Sequence, residues 1–330
     1  MKYLVTGATG FIGGALCKAL ADEGHEVRAL YRNPSRATPL QTVEGVRLFQ
    51  GDILHPESLR LPMRGCDGVF HVAAYAKPWA RHADTYFRFN VQGAKHVFHA
   101  ARAAAVRRVV FTSTAGVINP STIPGQPTDE QTPRSVPYFT DYDRSKSEAE
   151  NLAADMAKAG MEVVTVCPSR VFGPGELSES NGVTRMIRFF LQGRFRTIPG
   201  SGRSIGNYVF IDDVVRGHLL AMEAGRNGER YILGGENVSF NAFFDLLSDV
   251  SGCRISMVRL PVPLILLAAH GMEAWARLTG TPPLLTPPWV RKYLYHWELS
   301  IEKARTELGY RPLPLAEGLD RTIDWVSKVR

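Results

Sequence analysis

Six short apolar runs punctuate the first half of the chain, at residues 3–6, 26–30, 46–49, 68–72, 108–113 and 162–168. Between them lie segments of helix length. In residues 13–22 and the turn before them, Ile12, Leu16, Ala19 and Leu20 fall on one face, and Gly24 provides the stop. Residues 143–158 repeat this logic, with Gly160 as their stop. Short strands buried on both faces and alternating with one-sided helices predict a parallel sheet covered by crossover helices. After Pro168 the alternation breaks down, and Gly and Pro gather at Gly173-Pro174-Gly175 and Pro199-Gly200-Ser201-Gly202. A strand at 208–211 followed by a helix at 212–224 reads as a return to the sheet. The predicted organisation is α/β: a nucleotide-type domain from 1–168 and 206–235, and a smaller, discontinuous lobe from 169–205 and 236–330.

Composition narrows the function classes. The 330 residues carry 39 Lys and Arg against 32 Asp and Glu, a net +7, with 45% apolar residues. That is the profile of a folded protein. The basic residues are scattered, with no run longer than a pair such as Arg107-Arg108 and no interleaved aromatic stripe, so no nucleic-acid partner is expected. An anionic small ligand fits the charge equally well. Cys17, Cys66, Cys167 and Cys253 lie far apart with no Cys-x-x-Cys pair and no nearby histidine at ligand spacing, which argues against disulfides and zinc and for a reducing, cytoplasmic setting. The chain enters its first strand at once, so no cleavable leader is expected. Its most apolar stretch, 260–269, is interrupted by Pro261 and Pro263 and is too short for a transmembrane segment. Residues 264–269 are a candidate for peripheral membrane contact.

At the first strand-to-helix junction stands Thr6-Gly7-Ala8-Thr9-Gly10-Phe11-Ile12-Gly13, with glycines at every third position. Glycine opens backbone angles closed to other residues, and it lets main-chain N–H groups approach a pyrophosphate at the positive end of the helix. This is the loop of a Rossmann-type dinucleotide site. An acidic residue about 20 positions further on would bind the adenosine ribose of NAD. Here Leu30-Tyr31-Arg32-Asn33-Pro34-Ser35-Arg36 follows the second strand, with no Asp or Glu before Glu44. The Arg32 guanidinium suits a 2′-phosphate, so NADP(H) is favoured over NAD(H); the plain alternative is a solvated arginine. Asp52, at the end of the third strand, is placed either to accept from the adenine amino group or to cap the segment near His55.

Tyr142 and Lys146 stand four apart on one helix face. Thr114, at the end of the strand Phe111-Thr112-Ser113, would set a hydroxyl beside Tyr142, with Ser113 as its rival. A phenol titrates near pH 10, and bringing it to neutrality takes about 4 kcal/mol of preferential stabilisation of its anion. The Lys146 ammonium is expected to contribute. Tyr142 would exchange a proton with a substrate oxygen, Thr114 would stabilise the developing oxyanion, and Lys146 would also hold ribose hydroxyls.

With these residues in one chain, the sequence resembles the extended short-chain dehydrogenase/reductases, the NAD-dependent epimerase/dehydratase family, over nearly its whole length. The matching segments include Thr6 to Gly13, Gly51-Asp52-Ile53, His71-Val72-Ala73-Ala74, Asn90-Val91-Gln92-Gly93, Tyr142-Asp143-Arg144-Ser145-Lys146 and Cys167-Pro168-Ser169-Arg170-Val171-Phe172-Gly173-Pro174-Gly175. The resemblance implies that Asp52 and Ile53 lie at adenine. It also implies that Ala73 and Ala74 line the cofactor cleft, that Pro168 and Ser169 lie near the nicotinamide carboxamide, and that Phe172 begins the substrate lobe. A homodimer through the helices after Asn90 and Tyr142 is implied as well. His71 is read as a core histidine.

The run Ile205-Gly206-Asn207-Tyr208-Val209-Phe210-Ile211-Asp212-Asp213 lacks the arginine that nucleotide-sugar enzymes of the family place on a substrate phosphate. The C-terminal part is similar to the dihydroflavonol 4-reductase and 3β-hydroxysteroid dehydrogenase-like branch. The expected activity is NADP(H)-dependent reduction of a ketone, or oxidation of its alcohol, on a hydrophobic small molecule. A nucleotide-sugar epimerase or dehydratase, with Arg185, Arg188, Arg194 or Arg203 on the phosphate, is the alternative, and a non-catalytic cofactor sensor the minor one.

Overall fold

The computed structural model describes residues 1–177 and 181–329. The strands are β1 (Lys2–Thr6), β2 (Glu26–Tyr31), β3 (Val46–Gln50), β4 (Gly68–His71), β5 (Arg108–Thr112), β6 (Glu162–Pro168), β7 (Arg170–Phe172), β8 (Thr197–Pro199), β9 (Ile205–Phe210), β10 (Arg230–Leu233), β11 (Glu236–Ser239) and β12 (Val258–Leu260). Seven of them form one parallel sheet in the order β10-β6-β5-β4-β1-β2-β3. The order reverses direction between β1 and β4, and in such sheets a crevice opens there at the carboxyl ends of the strands.

Successive residues of a strand face opposite sides of a sheet, and here each side has its own core. Val5, Phe70, Val110 and Val164 pack with Leu16, Leu20, Val214 and Met222 of the helices Phe11–Asp22 and Ile211–Ala224. Leu4, Val69, Val109 and Val163 pack on the other side with Val97, Phe98, Ala149 and Ala153 of the helices Gly93–Ala103 and Asp141–Lys158. The first helix starts two residues before the expected boundary, because Gly10 serves as its N-cap. The helix bearing Tyr142 likewise starts at Asp141, since the Thr140 hydroxyl accepts from the Asp143 amide at 3.1 Å.

The strand expected at 208–211 does not return to the main sheet. It is the end of β9, which pairs parallel with β7 and antiparallel with β11 in a separate three-stranded sheet. The return is made by β10 beside β6. β7 leaves β6 after one residue, Ser169, and so needs a new partner, which β9 supplies. β8 and β12 pair in a two-stranded ribbon, and the helix Val262–Thr279 follows directly from it. No helix among the described residues is long and apolar enough to cross a membrane.

Candidate active site

One cavity of about 1250 Å³ runs along the carboxyl edge of the main sheet and on into the lobe. Its floor is the glycine loop. Gly7 has φ +71°, and a Cβ there would lie 2.7 Å from the Ala73 nitrogen; a Cβ on Gly13 would lie 2.2 Å from the Gly7 oxygen. The strand, the loop and the helix are thus in backbone contact, and no side chain can intervene. No side chain caps Gly10, so the amides that open the helix remain available to an anion. Thr6 accepts from the Ala73 amide at 3.2 Å and pairs with His71 Nδ1 at 2.7 Å. Burial, reinforced by the Lys146 charge, pushes the His71 pKa down to about 3. His71 is a neutral core residue that fixes β1 to β4.

Gly7, Thr9, Gly10, Phe11, Ile12, Gly13, Arg32, Asp52, Ile53, Ala73, Ala74, Pro168 and Ser169 all line this cavity. Arg32 is largely exposed, 3.8 Å from Asp52, with its guanidinium over the Phe89 ring at 5.3 Å. Arg36 lines the same end and pairs with Glu176. It was not singled out from the sequence; it lies in the first turn of the helix Pro34–Gln41, which follows Arg32 with Asn33 as its N-cap. Asp52 Oδ1 accepts from the Leu54 amide at 3.0 Å and Oδ2 faces Arg32; the short helix at Pro56 takes His55 as its N-cap without a side-chain bond, so Asp52 does not cap it. The Ser169 hydroxyl is buried without a partner, and unsatisfied buried hydroxyls are costly. Together the uncapped helix start, the glycine cradle and this orphaned hydroxyl fit a dinucleotide.

At the middle of the cavity stand Thr114 and Tyr142. The Thr114 oxygen accepts from the Gly116 amide at 3.1 Å, and its hydroxyl stands beside the Tyr142 phenol. Ser113, the rival, lines the same cavity, and its buried hydroxyl closes no hydrogen bond. Burial and the Asp143 carboxylate raise the Tyr142 pKa, and the Thr114 hydroxyl opposes them. The phenol therefore stays protonated across the neutral range. Lys146 does not line the cavity. Its ammonium donates to the Thr112 carbonyl at 2.6 Å and lies 4.3 Å from the centre of the Phe111 ring. Burial lowers its pKa to about 8, against the pull of Glu150.

Two groups were not legible in the sequence. Asp143, next to the phenol, is fully buried; its Oδ1 is 2.7 Å from Lys292 Nζ and its Oδ2 accepts from Thr140 Oγ1 at 2.8 Å. Lys292 sits on the helix Pro287–Leu294 of the lobe, 149 positions away, beside the rings of Trp289 and Trp297. This ion pair ties the lobe to the helix that bears the tyrosine. Arg170 fills the space in front of Gly206, where a Cβ would lie 2.2 Å from its Nη1. The Tyr208 hydroxyl accepts from it at 3.0 Å, and the Tyr293 ring centre is 4.8 Å away. The remaining wall is largely apolar and aromatic, including Phe189, Phe195, Ile265, Met272, Trp289 and Tyr293, with Arg185 and Arg194 among it. Arg188 and Arg203 are not part of the lining. Phe172 is buried against Phe210 rather than exposed to the cavity.

Residues 3–234 match the model of the NAD dependent epimerase/dehydratase family. The chain is 34% identical to 2-alkyl-3-oxoalkanoate reductase of Stenotrophomonas maltophilia, over 97% of this chain and 98% of that protein. It is 33% identical to 4-hydroxy-2-methyl-3-oxo-4-farnesyl-3,4-dihydroquinoline-1-oxide ketoreductase of Stigmatella aurantiaca, over 94% and 92%. Among solved structures, UDP-glucose 4-epimerase of Thermotoga maritima, determined with UDP-glucose, superposes with a TM-score of 0.81 at 25% identity, covering 99% of each chain. The chain therefore belongs to the NAD-dependent epimerase/dehydratase family, the extended branch of the short-chain dehydrogenase/reductases, whose members are NAD(P)-dependent enzymes.

Proposed function

We propose that the chain is an NADP(H)-dependent reductase acting on a ketone of an apolar or aromatic small molecule. The observation that carries this reading is the single cavity joining the glycine loop, the Thr114–Tyr142 pair and an apolar, aromatic wall. Both relatives named above as reductases act, by their names, on ketones attached to hydrocarbon chains, which supports the same substrate class here.

The amides of Phe11, Ile12 and Gly13 would receive the pyrophosphate, Asp52 and Ile53 the adenine, and Arg32 with Arg36 the 2′-phosphate. Ala73 and Ala74 would flank the cofactor, and Pro168 and Ser169 would meet the carboxamide. When bound, the reduced nicotinamide supplies the hydride. Tyr142, kept protonated by burial, donates the proton to the substrate oxygen. Thr114, whose oxygen accepts from Gly116, turns its hydroxyl proton from the phenol to that oxygen as negative charge develops. Lys146 holds Thr112, and hence the strand end that carries Thr114. The apolar wall excludes water, which strengthens each of these interactions.

The test is consumption of NADPH, followed by absorbance, with a panel of long-chain and aromatic ketones. Turnover of none of them would overturn the proposal. Arg185 and Arg194 in the wall favour one second reading, an epimerase or dehydratase that binds a nucleotide sugar. Retained NAD together with saturable binding of UDP-glucose would decide for it.

A further inference from the structure

The outer surface of the helix Val262–Thr279 has no role in the reaction above. Along it, Leu264, Leu267, Gly271, Trp275 and Leu278 recur at three- and four-residue spacing, which makes one continuous stripe. Leu267 is 70% exposed, Trp275 65% and Leu278 82%. Leu284, in the loop that follows, is 77% exposed. The other side of the same helix, with Ile265, Ala268 and Met272, lines the cavity, and Leu264 at the start of the stripe borders it as well. The helix is thus apolar on both sides and stands as a partition between the cavity and the solvent. A shallow groove between its outer end and the loop at Pro282-Pro283 shares Met272 and Leu284 with the lining of the cavity.

Charge surrounds this stripe in one sign. Residues 181–204 contain five arginines and no acid, and residues 252–297 contain five basic residues against Glu273 alone. Glu273 is itself paired with Arg277 at 2.8 Å. The rest of the chain holds 29 basic against 31 acidic residues, so the whole of the net positive charge belongs to these two segments. They meet where β8 pairs with β12, at the base of the helix, and Arg196, Arg259 and Arg254 there are exposed. Three exposed arginines from two segments distant in sequence therefore stand at the base of the apolar face. That combination of exposed leucine and tryptophan with flanking arginine matches an interfacial helix on anionic lipid. A nucleic-acid surface would instead lack the leucine stripe, and an ordinary surface helix would carry charge there.

We propose that this face seats the protein on an anionic bilayer surface, with the helix lying in the plane of the headgroups and the groove at Met272 and Leu284 open to the lipid. The seat would let an apolar substrate pass from the membrane to the cavity without crossing water. That route rests on the proposed reaction; the seat does not.

The experiment is flotation of the full chain, with NADPH present, on vesicles of phosphatidylcholine alone and of phosphatidylcholine with phosphatidylglycerol. The wild type is expected to float with the anionic vesicles, to do so roughly tenfold less with the neutral ones, and to be released by salt. The variant Leu267→Glu/Trp275→Glu/Leu278→Glu is expected to stay at the bottom. All three positions are exposed, so circular dichroism and NADPH binding should be unchanged in it. Wild type that fails to float, or a triple variant that floats as well, overturns the proposal. So does a wild-type dimer in light scattering that the same variant converts to monomer, since the face then belongs to a second copy. Flotation needs no substrate, so failure to find a ketone that turns over leaves this result independent.

Discussion

In the seven-stranded sheet, Leu4, Val5, Val69, Phe70, Val109 and Val110 are fully buried and each has a helix to cover it. In the lobe, the helix Val262–Thr279 buries only Ala269 and Ala276 and leaves its large leucines and Trp275 in solvent or along the cavity. The two regions use apolar surface for different ends. The sheet saturates its hydrophobic surface internally, which holds the strand ends rigid enough to present glycine amides and hydroxyls at fixed positions. The lobe leaves apolar surface unsatisfied, which is the condition for binding an apolar molecule or surface. Positioning and recognition are thus divided between a part that is complete in itself and a part that is not.

The change that separates these roles most is Tyr142→Phe. It removes the proton donor while leaving the sheet and the lobe intact. It should lower kcat by about 10²- to 10⁴-fold with the NADPH dissociation constant nearly unchanged, as read by steady-state kinetics and fluorescence titration. A non-catalytic sensor would be indifferent. Next comes the joint between the regions. Lys292→Met strands the buried Asp143 carboxylate beside the phenol, and breaking such a pair costs about 3–5 kcal/mol. Chemical denaturation should show that loss, and Asp143→Asn added to Lys292→Met should recover most of it. If the single variant unfolds like the wild type, the two regions are not tied at this point.

Arg32→Ala tests the sheet half alone. Loss of a guanidinium–phosphate contact should weaken NADPH by roughly tenfold or more and leave NADH within about twofold. Equal losses for both would assign Arg32 to packing on Phe89. The smallest effect concerns pH. Lys146 is charged below about 8 and neutral above it, so kcat/KM should be flat on the acid side and fall as pH rises through that value. Glu150 holds the ammonium up, and Glu150→Gln should therefore move the falling limb toward lower pH.

Much of the sheet was legible because its determinants are local. Runs such as 162–168 appear as strands with the expected bounds, and Gly24 and Gly160, with φ of +79° and +88°, follow the two helices they were expected to stop. The misplacement of β9 has a physical cause. Residues 205–210 are buried like a central strand, but their partners are β7 and β11, and an apolar run does not specify which edge it will join. The same limit hid Lys292 and Arg170. A lysine 149 positions from its carboxylate carries no signal at short range, and Arg170 acquires its place only because Gly206, on another strand, leaves room for it.

By itself, the sequence determined the parallel α/β sheet, the glycine loop at its first turn and membership of the family, and it named Thr114, Tyr142 and Lys146 as the candidate set. These rest on periodicity, on glycine's unique backbone freedom and on residue spacing within single elements, all of which act over a few positions. Only the tertiary structure decided that the Ser113 hydroxyl is buried without a partner and that Lys146 turns to Thr112. It alone paired Asp143 with the lobe, and it alone brought Arg196, Arg254 and Arg259 together at the base of an apolar helix. Each of these depends on contacts between segments far apart in the chain, whose geometry is set by how the layers pack and not by any one segment's preference.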